Sequence, residues 1–142
     1  MVRNRSMSLE VKSKQSDSEK ITVNIGYVDL GQIDLLVRDG FYSNRTDFIR
    51  TAIRNQLQHH ADAMRQSVSR KKLELGLRHI TKQELEAARN AGELLHIHVL
   101  GLVTFAADVT PELARAAIAS LQVLGALQAS SELKAALADR IH

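Results

Sequence analysis

The chain has no cysteine, no tryptophan and a single proline, and aromatic residues make up only 4% of its 142 positions. Without cysteine there is no disulfide framework, no thiolate metal site and no cysteine nucleophile. No run approaches the ~20 consecutive apolar residues of a membrane-spanning helix. The N-terminus carries no apolar stretch of the signal-peptide type, which predicts a chain that stays in the cytoplasm. Nothing pairs a nucleophile with a base, and no glycine loop has phosphate-binding spacing. The expectation is therefore no enzyme and no cofactor.

What is present is distributed unevenly. The net charge of +3 averages three different segments. Residues 1–19 balance at +1. Residues 20–72 hold nine basic and five acidic side chains, and residues 73–142 hold six basic and eight acidic. A basic middle beside an acidic end predicts a polyanion-binding module joined to a second part. The polar residues 1–19 read as a disordered arm, with Met7 as a second candidate start.

A sharp pattern follows the arm. In Lys20-Ile-Thr-Val-Asn-Ile25 the aliphatic residues Ile21, Val23 and Ile25 alternate with polar ones, the period of a strand with one buried face. A short helical pattern, Val28 to Asp39, ends at Gly40. Asn44-Arg-Thr-Asp47 starts a second helix. Asn44 is its cap, and Asp47 is placed to reach back in capping-box fashion. Its apolar stripe, from Ile49 to Val68, predicts a helix running to about residue 70. A lone strand cannot leave its edge groups unpaired, and a segment of about 50 residues is at the size where oligomerisation is commonly needed. Both point to an identical strand from a second copy and an obligate homodimer.

These residues resemble the ribbon-helix-helix family of Arc, MetJ and CopG type repressors. The likeness covers roughly residues 19–60: strand, short helix, turn, then Asn44-Arg-Thr-Asp-Phe-Ile-Arg50. Gly40 stands slightly early relative to Asn44, which makes the turn between the helices a little longer. The resemblance implies an intertwined dimer whose paired strands enter the major groove of double-stranded DNA. Lys20, Thr22 and Asn24 would then meet base edges. Asn44, Arg45 and Thr46, at a helix N-terminus, would hold a phosphate.

Residues 73–142 show an internal repeat. Leu75-Gly-Leu77, Leu100-Gly-Leu102 and Leu124-Gly-Ala126 recur at steps of about 25 residues. Each is followed by a helix start, at Thr81, Thr110 and Ser130, running into Glu-Leu and an Ala-rich helix. Strand character is clearest at Leu95–Val99 and Leu121–Leu124. Strand–helix units of this length bury their apolar faces by stacking. This predicts a small parallel-strand, solenoid-like α/β domain that completes itself on other subunits.

The expected fold class is therefore α+β: an arm over 1–19, a ribbon-helix-helix domain over 20–70, and an oligomerisation domain over 73–142. The expected function is a sequence-specific transcriptional regulator, a repressor associated with the nucleoid, with DNA and further copies of itself as partners. Two alternatives stay open. One is an antitoxin that neutralises a toxin protein. The other is a nickel-type metal-responsive repressor, because His96 and His98 have His-x-His ligand spacing and His79 could be a third ligand. The absence of cysteine and the Ala/Leu-rich repeats weigh against the metal reading, and no metal is expected.

Overall fold

The computed structural model describes residues 18–142. The expected arm lies outside the described residues except for its last two positions. Two compact units follow, Lys20–Ser69 and Arg70–His142.

The first unit begins with an extended segment and continues into α1 (Tyr27–Arg38) and α2 (Arg45–His59), followed by α3, Ala61–Lys71, which runs into the second unit. Helix α1 ends in a Schellman turn. The Phe41 N–H bonds the Leu36 carbonyl at 3.0 Å and the Gly40 N–H bonds the Val37 carbonyl at 3.1 Å. Gly40 takes φ +87° there, the left-handed geometry that a residue without Cβ adopts at least cost.

The segment Lys20–Ile25 pairs with no strand among the described residues, and Ile21 and Val23 remain 75% and 68% exposed; the partner strand expected for it belongs to a second copy. One expectation needs correction. The second helix does not run unbroken to residue 70. It stops at His60, whose N–H bonds Leu57 at 3.1 Å, and a new helix starts with the Met64 N–H on the His60 carbonyl. Neither helix buries a residue within the single chain, so no packing holds them to one continuous axis.

The second unit is a three-stranded parallel sheet with helices in its connections. Strands β1 (Glu74–Ile80), β2 (Leu95–Phe105) and β3 (Ile118–Gln128) lie in sequence order. Helix α4 (Lys82–Asn90) links β1 to β2, α5 (Pro111–Ala117) links β2 to β3, and α6 (Ser131–Ala136) follows β3. Thr81, Thr110 and Ser130 cap the three helices, accepting from the N–H groups of Glu84, Leu113 and Leu133. The repeat becomes register: Gly76 pairs with Gly101 and Gly101 with Gly125, and the flanking leucines pair in the same rows. The glycines lie inside the strands, each of which leads into a helix.

One sheet face and the helices enclose the core of this unit, which includes Ile80, Leu85, Val99, Val103, Leu113, Ile118, Leu121 and Leu137. Each such fully buried side chain stabilises the fold by about 1.5–3 kcal/mol. The C-terminus closes the outer edge of β3. The Leu121 N–H bonds Arg140, His142 bonds back to Leu121, and the Arg140 guanidinium reaches the Ile118 carbonyl at 2.8 Å.

Candidate nucleic-acid interface

The extended segment presents Lys20, Thr22 and Asn24 as an exposed alternate row. Their neighbours Ile21, Val23 and Ile25 form the opposite row, also uncovered within the chain. A strand paired along this segment turns one row to a core and the other outward. The outward row carries an ammonium, a hydroxyl and an amide, groups suited to the hydrogen-bonding edges of bases.

The N-terminus of α2 is built tightly. The Asn44 side chain accepts from the Asp47 N–H at 2.8 Å. Asp47 returns the bond to the Ser43 N–H at 2.9 Å, one residue earlier than the usual capping box. Tyr42 and Phe48 pack edge-on with ring centres 5.0 Å apart, which fixes the entering turn against the helix. No acceptor for the N–H groups of Arg45 and Thr46 is found among the described residues. Open donors at the positive end of a helix suit an anion.

Sequence reasoning missed one member of this cluster. The Arg45 guanidinium is gripped by the Asp34 carboxylate, with Nε to Oδ1 at 2.8 Å and the second nitrogen to Oδ2 at 2.9 Å. Both side chains are about half exposed. The hydrogen bonds from Arg45 hold the Asp34 carboxyl below the usual carboxylate range, and Asp34 in turn raises Arg45. Asp34 lies on α1, eleven residues upstream, and no spacing rule links it to Arg45. The pair fastens α1 to the start of α2 and orients a cation there.

The three histidines do not converge. His96 Nδ1 lies 2.9 Å and His98 Nε2 3.2 Å from the same Ser120 hydroxyl. His79 Nδ1 instead lies 2.7 Å from the Thr104 hydroxyl. Thr104 is eight positions along β2 from His96, roughly 26 Å at strand rise. No group of three or more metal-ligating side chains is found among the described residues.

A ribbon-helix-helix transcriptional regulator family model matches residues 16–134, most of the chain. The chain belongs to the ribbon-helix-helix transcriptional regulator family. The match extends beyond the helices of the first unit and through the sheet of the second. No curated protein and no solved structure gives a significant match. In this ribbon-helix-helix regulator the extended segment precedes α1 and the Asn44-capped α2. Among the described residues, no helix is long and apolar enough to cross a membrane.

Proposed function

We propose that this chain is a cytoplasmic, sequence-specific DNA-binding repressor that works as an intertwined homodimer and assembles further through its second unit. The observation that carries the reading is the alternating segment Ile21, Val23, Ile25, apolar and uncovered, in a unit whose only buried apolar side chain is Ile33. Roughly 50 residues with so little interior are stabilised by a second copy. Two such segments pairing antiparallel would place the Ile/Val rows over the helices and Lys20, Thr22 and Asn24 in a major groove. The open N–H groups of α2 and the oriented Arg45 would clamp a backbone phosphate. Phosphate contacts hold register, while the strand row supplies specificity.

The antitoxin alternative rests on a short tail free to wrap a toxin. Residues 73–142 instead carry a sheet and a buried core of their own, which favours an assembly role. Selection of bound duplexes from a random pool by the full-length protein tests the reading. Enrichment of an inverted repeat is expected, and a pool that stays random defeats it. Light scattering of the intact protein tests the assembly role, since a mass no greater than a dimer removes it.

A further inference from the structure

All three helices of the second unit lie on one side of its sheet, and no described residue of that unit covers the other side. Parallel sheets are ordinarily covered on both faces. The bare face carries two apolar rows across the strands, Leu75–Leu100–Leu124 and Leu77–Leu102–Ala126. Leu75 and Leu77 are 67% and 69% exposed, and Leu124 is 46% exposed. Uncharged polar or imidazole side chains border these rows: His98 and Gln122 on one side, His79, Thr104 and Gln128 on the other. No Lys, Arg, Asp or Glu alternates onto this face. The charged residues of β1, Glu74 and Arg78, project to the opposite side, where Arg78 pairs with Glu84 of α4.

We infer that this bare face packs against the same face of a second copy of the chain, forming a two-sheet sandwich with helices outside. Three observations select that occupant. With no lysine, arginine or carboxylate on it, the face offers no fixed charge to complement an acidic or basic partner. Its pattern is self-complementary. A two-fold axis lying between the sheets, along or across the strands, sets leucine rows on leucine rows and polar rows on polar rows. Its size also fits a tethered copy. Three strands by nine residues make a footprint of roughly 14 by 26 Å, about 360 Å². A free-standing stable interface takes about 800 Å² per partner. A face this small holds when the first unit has already brought copies together, because tethering raises effective concentration. The inference deepens the proposed assembly role and rests on it.

The absence of cysteine makes a direct test available. Leu102→Cys, on the central strand, places a unique thiol on the face, and Lys134→Cys on α6 places one on the helix side. Stacked sheets lie about 10 Å apart, so a short bis-maleimide spans the two Leu102→Cys thiols. The expected result on the full chain is a covalent dimer from Leu102→Cys and none from Lys134→Cys. A Leu102→Cys thiol that takes a single-headed maleimide yet never cross-links overturns the inference, because no second thiol then lies across the face. Light scattering separates the two levels. A mass above dimer without the cross-link leaves assembly standing and removes this face from it. The cross-link in a protein of dimer mass keeps the face and limits the assembly to one dimer.

Discussion

Arg45 and Asp34 are joined by two hydrogen bonds of 2.8 and 2.9 Å across the turn between the first two helices. The pair sets the direction of a cation at the very start of α2, beside backbone donors that face no acceptor among the described residues. Arg45→Ala is expected to weaken binding to all duplexes and to reduce the salt slope by about 1, since one phosphate contact is lost. Asp34→Asn leaves the Arg45 cation in place and should keep the slope. A slope unchanged by Arg45→Ala would remove the phosphate role.

The same pair predicts a pH dependence. Asp34 is held below its ordinary value by Arg45, so its contribution is complete above the ordinary carboxylate value of about 3.9 and is lost as pH falls through the lowered folded value. The melting difference between wild type and Asp34→Asn should be flat from neutral pH to about pH 5 and shrink below about pH 4. A difference that shrinks near neutrality instead would contradict this origin.

Thr22→Ala and Asn24→Ala address base reading. Each should lower affinity for the selected site by about 1–3 kcal/mol and leave affinity for random duplex almost unchanged. Equal losses on both duplexes would show that these side chains do not read sequence.

The glycine row sets the packing of the sheet. Gly101 has φ +145°, and a Cβ there would run into the Gly76 carbonyl oxygen. Gly76 has φ +117° with nothing within 4 Å of a Cβ. Gly76→Ala therefore meets backbone strain alone, about 1–3 kcal/mol. Gly101→Ala meets strain and a backbone clash, and should cost more, about 3 kcal/mol or above. Urea unfolding of the two variants measures the gap, and equal losses would mean the strands separate without penalty.

Zinc or nickel titration probes the histidines. His79 sits on Thr104 while His96 and His98 share Ser120. Any metal-induced change in melting should therefore survive His79→Ala. A response abolished by that substitution would mean the three residues act together.

Local order was legible in the chain. The Gly40 stop, the Asn44 cap and the helix starts at Thr81, Thr110 and Ser130 all depend on residues within a few positions of one another. Short-range sterics and capping hydrogen bonds determine such features. The 25-residue repeat also announced itself, because stacked strands repeat their side chains in register. The end of α2 at His60 escaped, since an apolar stripe continues through the break and periodicity does not register it.

What the tertiary structure decided are the relationships between distant residues. The grip of Asp34 on Arg45 depends on how two helices meet across a turn. The separation of His79 from His96 and His98 depends on strand register, which carries one histidine to the far end of the sheet. The uncharged bare face exists only because all three helices pack on one side. Alternation along each strand assigns its residues to two faces, but only the packing of the helices decides which face is left uncovered.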